Sequence, residues 1–384
     1  MEAEELPLAG VVVLDFSQFL AGPVAALRLA DLGARVIKIE RPVTGEIGRT
    51  LAFAGRWADE DTVSFHAMNR NKEAVVADLK DPADLERVKS LVARADVLLH
   101  NFRPGVMERL GLDYESARAL NPSIIYAAAS GYGPEGPWSN RPGQDLLAQS
   151  ISGLTWTTGR NRPTTVGLSL ADHLLSCHLA QGVTALLLRK ARTGQGGHTE
   201  SSLLEAMLDL QTIPLTTHLN TPTNGAGPTD AADDVLPARL YRTADGYLAV
   251  GVVRVAELVG VVGESVSVEG GLVVERDVVE EWVGERLVLG KTAEWVEVLG
   301  RAGIECAPLR TLDEVIASEE FRAIGMTQEV VRPAAAAGGT PLRLTTTRSP
   351  IRIDGEVLRN GRAAPRLGAQ GYLRDGVDPL KGGR

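Results

Sequence analysis

The first half of the chain alternates short apolar, β-branched runs with stretches of helical spacing. The runs at residues 11–16, 35–40, 74–78, 97–100 and 124–128 predict buried strands. Between the first two runs, residues 25–32 keep a helical period and stop at Gly33, a typical helix C-terminus. Asp81 and Pro82 predict the cap and the first residue of a second helix. Strands separated by helices in this way predict an α/β fold with a doubly wound parallel sheet.

The pattern changes after residue 210. Residues 216–234 are rich in Thr, Asn, Gly, Pro and Asp, which predicts a loop or linker. A β-hairpin around Asp245-Gly246 and a helix over residues 292–302 are predicted next. A second linker is predicted at 333–339, and an extended tail follows it. We therefore expect a large α/β domain over 1–215, a smaller α+β domain over 216–332, and a segment over 333–384 that returns to the large domain.

Composition narrows the possible partners. The 384 residues carry a formal net charge of −9, which argues against a nucleic acid or an anionic membrane as the main partner. No apolar run reaches membrane-spanning length, and the N-terminal residues lack a signal-peptide pattern. There are only two cysteines, which disfavours a disulfide framework. These features predict a reduced, cytoplasmic protein.

Basic residues recur just after the predicted strands: Lys38, Arg41, Arg70, Lys72, Lys80, Arg103 and Arg109. The carboxyl ends of strands are where open α/β sheets bind ligands, so these cations could together hold a polyanion. Each one alone is more typical of a solvated surface. The first strand leads into Ser17-Gln-Phe-Leu-Ala-Gly-Pro23 without the glycine pattern of a dinucleotide site. A nicotinamide or flavin enzyme is therefore disfavoured.

One carboxylate, Asp172, lies near the start of a long apolar segment. A charge there must be stabilised, for example by the free N–H groups of a helix N-terminus. From spacing alone, Asp172 is either a helix cap or a working carboxylate, and the cap is favoured. His173 and His178 have the wrong spacing for a shared metal, so no metal site is predicted.

Several ordered motifs resemble the class III CoA-transferases, the family of formyl-CoA and carnitine CoA-transferases. They are Val-Leu-Asp-Phe-Ser at 13–17, Ala-Gly-Pro at 21–23, Asn-Arg-Asn-Lys at 69–72, Ala-Asp-Val-Leu-Leu-His-Asn-Phe-Arg-Pro-Gly at 95–105, Gly-Leu-Asp-Tyr at 111–114 and Gly-Tyr-Gly-Pro-Glu-Gly-Pro at 131–137. The resemblance is dense over residues 8–210 and resumes at 241–247, 295–308 and 364–368.

The resemblance implies a function and a set of site residues. Asp172 falls at the family's nucleophilic aspartate, which attacks an acyl-CoA thioester to give an anhydride and then an enzyme-bound CoA thioester. A small carboxylic acid then accepts the CoA. The residues implied to bind CoA or to line the thioester pocket are Arg41, Ala77, Lys80, Asn101, Phe102, Arg103, Arg109 and Asp145. An interlocked homodimer is also implied.

Two alternatives remain open. An α-methylacyl-CoA racemase shares the fold but pairs its aspartate with a His in a Gly-His-Asp segment, which here is Gly143-Gln144-Asp145. A neutral amide does not exchange protons as imidazole does, so the racemase is disfavoured. A non-catalytic acyl-CoA-binding protein is the second alternative, because the residues after Asp172 depart from the family pattern. Leu20 stands where formyl-CoA transferases carry Gln, which places formyl and oxalate substrates in doubt.

Overall fold

The computed structural model describes residues 5–52, 55–159, 162–220, 235–263, 276–336 and 338–381. These residues belong to two compact units. The first contains residues 1–215 and 325–384, and the second contains residues 216–324. Each unit has its own hydrophobic core.

The chain up to residue 220 contains eight strands and ten α-helices among its described residues. They are β1 (Val12–Asp15), α1 (Ala21–Asp31), β2 (Arg35–Glu40), β3 (Trp57–Ala58), β4 (Asp61–Thr62), α2 (Val63–Asn69), β5 (Glu73–Val76), α3 (Pro82–Val92), β6 (Val97–His100), α4 (Val106–Leu110), α5 (Tyr114–Leu120), β7 (Ile125–Ser130), α6 (Asp145–Ile151), α7 (Leu154–Thr158), α8 (Leu170–Thr193), β8 (Gly197–Ser202), α9 (Leu203–Leu210) and α10 (Thr212–Asn220). A 3-10 turn covers Ile47–Arg49.

The described elements from residue 235 onward are β9 (Val235–Leu236), β10 (Arg239–Arg242), β11 (Tyr247–Val250), β12 (Val253–Arg254), α11 (Val255–Val262), α12 (Arg276–Leu287), α13 (Thr292–Arg301), β13 (Cys306–Pro308), α14 (Leu312–Ala317), α15 (Glu319–Ile324), β14 (Thr327–Arg332), β15 (Leu342–Thr347), β16 (Arg352–Ile353) and β17 (Glu356–Val357). A 3-10 turn covers Leu373–Asp375.

The large unit is built on a six-stranded parallel sheet, which confirms the predicted α/β fold. Its strand order is β5-β2-β1-β6-β7-β8. The order reverses between β1 and β6, and ligands of such sheets bind beyond the carboxyl ends of the strands at this switch point. The loops that follow β1 and β6 are therefore the first place to look for a site.

The edge strand β8 was missed by the sequence prediction. Its residues, Gly-His-Thr-Glu-Ser-Ser, are mostly polar, and four of the six are exposed or half-buried. An edge strand at this position needs no apolar run, so periodicity alone does not find it.

Apolar layers cover both faces of the parallel sheet. On one face, Val13, Leu99 and Ile125 pack with residues of α1 and α8. On the other face, Leu14, Ile37 and Leu98 pack with α3. Helix α1 is buried along almost its whole length, and α8 lies against it. The start of α8 is thereby held close to the end of β1.

Three of the cations that the sequence analysis placed near a polyanion site are instead buried in ion pairs. The Nζ of Lys72 lies 2.9 Å from Oδ2 of Asp15, and the Nζ of Lys38 lies 3.6 Å from the same oxygen. Arg70 donates to Asp31 at 2.7 Å. All three cations are at least 97% buried. The ligand prediction was wrong for these residues because their acidic partners come from other parts of the sequence.

The C-terminal segment contacts the large unit at β5 and at Arg332. Gln370 N–H donates to the Ala74 carbonyl at 3.0 Å, and Tyr372 forms a parallel bridge with Val76. Arg332 donates to Asp61 at 2.6 Å and to the Ala364 carbonyl at 2.8 Å. These contacts join the end of the chain to its first hundred residues.

Replacing Arg332 with Met is expected to lower the free energy of unfolding by about 2 kcal/mol. Loss of one partner from a buried ion pair costs about 3–5 kcal/mol when the other charge is left alone. Here Asp61 keeps a second partner, since Arg49 Nη1 lies 3.0 Å from it. Urea unfolding followed by circular dichroism measures the change. Arg343→Met removes an exposed pair with Glu329 on the paired strand and is the control. An equal effect of both substitutions would contradict the prediction.

The second unit contains a three-stranded antiparallel sheet, β10-β11-β13. Arg242 pairs with Tyr247 across the Thr243–Gly246 turn, so the predicted hairpin is confirmed. Helix α13 confirms the predicted helix at 292–302. Of the linker predicted at 216–234, residues 216–220 instead belong to α10, and residues 221–234 lie outside the described part of the chain. Among the described helices, none is both long and apolar enough to cross a membrane.

Candidate active site

Asp172 lies in the first turn of α8, near the N-terminus of α1. The N-cap of α8 is Ser169, and Asp172 is the third residue of the helix. The side chain that accepts a hydrogen bond at this helix start belongs to Asp145, whose Oδ1 lies 3.1 Å from the Asp172 amide nitrogen. Asp172 is therefore not the helix cap that its spacing favoured. Its carboxyl group lines a cavity of about 620 Å³.

The environment of Asp172 favours its neutral form more than water does. Burial, and next the negative charge of Asp145, raise the pKa of Asp172 to about 7. The Ala21 N–H, at the start of α1, donates to the carboxyl group and acts in the opposite direction. A carboxylate with this pKa changes protonation state near neutral pH, which is typical of working groups in enzyme sites.

Asp145 is held in place from the other side. The Nε2 of Gln149 donates to Asp145 Oδ2 at 2.6 Å. The same side chain accepts from the Val166 N–H at 3.1 Å and donates to the Leu168 carbonyl at 3.2 Å. Gln149 thus joins the start of α6 to the segment that precedes α8, and it fixes the two carboxyl groups relative to each other.

The large cavity is formed at the switch point of the sheet, by the segments that follow β1, β6 and β7. Its apolar lining includes Leu20, Leu51, Leu146, Leu175 and Leu203, and its polar lining includes Gln18, Asn101, Arg103, Arg141, Gln144 and Asp145. Most of these polar groups are neutral or cationic. The cavity can therefore accept a partly apolar molecule that carries a negative charge.

A smaller cavity of about 140 Å³ lies on the other side of Phe102. Phe102 and Gln18 line both cavities. Arg41, Ala77 and Lys80 line the smaller one, which opens after β2 and β5. The Nε of Arg41 donates to the Gly45 carbonyl at 2.7 Å. The small cavity is also lined by Glu40, Glu46 and Asp78, so Arg41 and Lys80 are the cations there that could meet an anionic group. Two adjoining cavities suit an elongated ligand.

The structure brings most of the residues implied by the resemblance to these two cavities. Asp172, Asp145, Asn101, Phe102 and Arg103 line the large one, and Arg41, Ala77, Lys80 and again Phe102 line the small one. Arg109 is not part of the described lining of either cavity. It lies on α4 with its guanidinium close to Gly105, where an added Cβ would meet Nη1 at 3.2 Å.

The sequence analysis missed Arg141 as a residue of the large cavity. Arg141 and Asp145 reach the cavity because Gly143 lies against Gly131 at the end of β7. A Cβ added to Gly143 would come within 2.3 Å of the Gly131 Cα, so only glycine fits there. The Gly131 and Gly143 pair was the available signal, although sequence alone does not show that the two glycines touch.

Comparisons with known proteins agree with this geometry. A family model described as CoA-transferase family III matches residues 8–371. The succinate–glutarate CoA-transferase of Agrobacterium fabrum is 30% identical over 384 residues, which cover 94% of this chain and 93% of that protein. The succinyl-CoA:glutarate CoA-transferase of Mus musculus is 30% identical over 347 residues, covering 87% and 79%. A crystal structure of Rv3272 from Mycobacterium tuberculosis has a TM-score of 0.80 at 30% identity, covering 95% and 98%.

Proposed function

Because the chain belongs to CoA-transferase family III, we propose that Asp172 is the nucleophile that carries CoA from an acyl-CoA donor to a carboxylic acid. The observation that supports this role is a half-buried carboxyl group with a pKa of about 7 at the wall of the large cavity. A carboxylate that has lost most of its hydration is a stronger nucleophile than one in water, and the cavity walls hold it next to the thioester.

In the proposed first half-reaction, a carboxylate oxygen of Asp172 bonds to the thioester carbonyl carbon. The carbon–sulfur bond breaks and the sulfur leaves as a thiolate. That thiolate then bonds to the aspartyl carbonyl carbon, and the anhydride carbon–oxygen bond breaks to release the donor acid as its carboxylate. Asp172 now carries CoA as a thioester.

In the second half-reaction, the carboxylate of the acceptor acid bonds to the aspartyl carbonyl carbon and again expels the CoA thiolate. The thiolate attacks the acceptor carbonyl of the new anhydride. The new acyl-CoA leaves and the Asp172 carboxylate is regenerated. No proton is consumed in the complete cycle, so the site needs no general acid. Exclusion of water is the main requirement, because water would hydrolyse the anhydride.

We propose that the two adjoining cavities divide the CoA molecule between them. Arg41 and Lys80 in the small cavity suit the nucleotide and its phosphates. The pantetheine arm would pass Phe102 and Asn101 to bring its sulfur to Asp172. Arg103 and Arg109 follow the same loop and are proposed to contact phosphate oxygens from the α4 side. Asp145 stays at the thioester end, beside Asp172.

The acceptor is proposed to be a small carboxylic acid. The apolar lining of the large cavity fits a short carbon chain, and Arg141 supplies positive charge for a carboxylate. The relatives from Agrobacterium fabrum and Mus musculus are named for glutarate, so a short dicarboxylate is the first acceptor to test.

We also propose that the protein works as an interlocked homodimer. Large apolar side chains of the first unit are exposed on several of its helices, among them Leu146, Trp156, Leu188, Leu210 and Ile213. Helix α10 has no buried residue at all. Apolar surface of this extent suits contact with a second copy of the chain. Light scattering at micromolar concentration gives the mass.

Trapping with hydroxylamine tests the covalent step. The wild-type protein is mixed with succinyl-, acetyl- and propionyl-CoA, and the intact mass and the peptide containing Asp172 are then measured. A hydroxamate or a CoA adduct at Asp172 is the expected result. Absence of any adduct, together with deuterium exchange at the α-carbon of a 2-methylacyl-CoA, would show that the protein works by proton abstraction instead.

Asp145→Asn is expected to move the pH dependence of this covalent step toward acid. The Asp172 carboxylate must be ionised to attack, so the wild-type rate should rise with pH through about 7. The charge of Asp145 raises the pKa of Asp172, and its removal therefore lowers it. We expect the midpoint to fall by up to about one pH unit. The exposed Asp375, which lines neither cavity, provides the control Asp375→Asn. A midpoint that moves toward alkali would contradict the assignment.

A further inference from the structure

The turn from Ser17 to Leu20, which joins β1 to α1, is held by side chains, several of them distant in sequence. Ser17 N–H donates to Asp15 Oδ1 at 2.9 Å, and the Ser17 carbonyl accepts from Lys38 Nζ at 2.7 Å. Phe19 N–H donates to Glu46 Oε2 at 3.1 Å. Short turns at a protein surface usually satisfy such groups with water or with their own neighbours. Here the Ser17 N–H bonds to a near neighbour, Asp15, whereas the Ser17 carbonyl and the Phe19 N–H bond to Lys38 and Glu46, which are distant in sequence.

Asn101 holds the middle residue of this turn by both ends of its amide. Its Oδ1 accepts from the Gln18 N–H at 2.8 Å, and its Nδ2 donates to the Gln18 carbonyl at 2.7 Å. Asn101 follows β6, the strand next to β1, so the contact crosses the switch point of the sheet. These two hydrogen bonds use one N–H and one oxygen lone pair of the amide, half of its hydrogen-bonding capacity, and both are made to the same residue of the turn.

The conformation that these bonds maintain is not one that the chain adopts readily. Phe19 has a φ of 65°, in the left-handed region that residues with a side chain avoid. Such a conformation persists where the surroundings fix it, and it recurs at functional sites. Two residues later Ala21 lines the large cavity together with Asp172, and its N–H lowers the pKa of that carboxyl group. The turn therefore connects the buried side chains of Asp15, Lys38 and Glu46 to the proposed nucleophile, Asp172.

We infer that Asn101, assisted by Lys38 and Glu46, is a positioning residue that holds the Ser17–Leu20 turn so that the Ala21 N–H faces Asp172. This inference rests on the proposed role of Asp172 as the nucleophile. It reassigns Asn101 from the CoA-binding set that the resemblance implied. Lys38 and Glu46 support the same turn from outside the large cavity, whose described lining includes neither of them, and Glu46 lines the small cavity.

The test compares Asn101→Ala with a matched variant, Asn121→Ala. Asn121 makes the same kind of clamp at the opposite end of the sheet, where its Nδ2 donates to the carbonyls of Val92 and Ala95 and its Oδ1 accepts from the Ser123 N–H. Three quantities are measured for each protein: the rate of hydroxamate formation at saturating acyl-CoA, the pH midpoint of that rate, and the Kd of CoA by calorimetry.

For Asn101→Ala we expect the saturated rate to fall about 10²-fold, the effect of a misplaced group in an active site. The pH midpoint should move to higher pH, because the Ala21 N–H that lowers the pKa of Asp172 is displaced. The Kd of CoA should stay within about twofold, since Asn101 is not a ligand. Asn121→Ala should change none of the three, whatever it does to the melting temperature.

Two results would overturn the inference. A Kd that rises tenfold or more with an unchanged saturated rate would make Asn101 a CoA ligand. An equal loss of rate in both variants would show that Asn101 only stabilises the fold. If Asn101→Ala does not fold, Asn101→Asp retains the acceptor for the Gln18 N–H and replaces it in the same comparison.

Failure of the proposed function gives a different pattern. If the wild type forms no hydroxamate with any donor, hydrogen exchange in the peptide 16–22 tests the clamp without catalysis. Faster exchange in Asn101→Ala than in Asn121→Ala supports positioning of the turn. Equal exchange in the two variants refutes it.

Discussion

Replacing Asp172 with Asn is expected to lower the kcat of CoA transfer by at least about 10⁴-fold, a loss typical of removing a covalent nucleophile. The amide has nearly the same shape as the carboxyl group, so the cavity should remain intact. Its nitrogen lone pair is delocalised into the carbonyl, and its oxygen carries no full charge. It cannot displace a thiolate at a useful rate.

The measurement is formation of the new acyl-CoA by chromatography, with succinyl-CoA as donor and glutarate as acceptor. Asp145→Asn is the matched control, because it makes the same chemical change on the neighbouring carboxyl group. It should keep substantial activity at its shifted pH midpoint. Binding of CoA should persist in both variants. Full activity of Asp172→Asn would exclude Asp172 as the covalent carrier.

The sequence predicted the framework of the site well because that framework is apolar and local. β1 and β6 are buried on both faces and each begins with an apolar run of three residues, and β2 keeps three β-branched residues between its charged ones. The helix cap at Asp81 was also predicted from the sequence, and its carboxylate accepts hydrogen bonds from the Ala83 and Asp84 N–H groups. Such features depend on neighbours a few residues away.

The chemistry of the site depends on residues that are distant in sequence, so it was harder to predict. Asp172 obtains its unusual pKa first from its own burial and next from the charge of Asp145, 27 positions earlier. Spacing alone favoured a helix cap at Asp172, and the resemblance rather than the residue pattern reversed that choice. The contact between Gly131 and Gly143, which carries Asp145 to the cavity, is likewise invisible until the chain is folded.

The buried cations also show that contacts between residues distant in sequence are not predictable from local sequence. Lys38 lies within β2 and Lys72 directly precedes β5, and nothing in their local sequence shows that both pair with Asp15. Once paired, they have a structural use, which is to support the turn that faces Asp172. Position relative to a strand end therefore predicts the region of a site better than it predicts the role of a residue there.

The position of Asp172 should also have a cost in stability that depends on pH. Its pKa is about 7 in the folded protein, against an ordinary value of 3.8. Below pH 4 the group is protonated in both states and contributes no difference. As pH rises from 4 to 7 it ionises in the unfolded chain while the folded protein still holds the proton. The unfolded state is therefore favoured progressively, and the loss is complete above pH 7.

Asp172→Asn should remove this loss, because an amide does not ionise. The full pKa difference corresponds to about 4 kcal/mol at 1.36 kcal/mol per unit, and partial solvent contact at the cavity should reduce it to about 2–3 kcal/mol. We therefore expect the variant to be more stable than the wild type by that amount at pH 8 and equal to it near pH 4. Urea unfolding at several pH values measures the difference, with Asp375→Asn as a control that should show no such trend. A difference that does not change with pH would mean that Asp172 ionises as an ordinary carboxyl group. An inactive variant that is more stable only above pH 4 would show that the protein sacrifices stability to keep this carboxylate out of water.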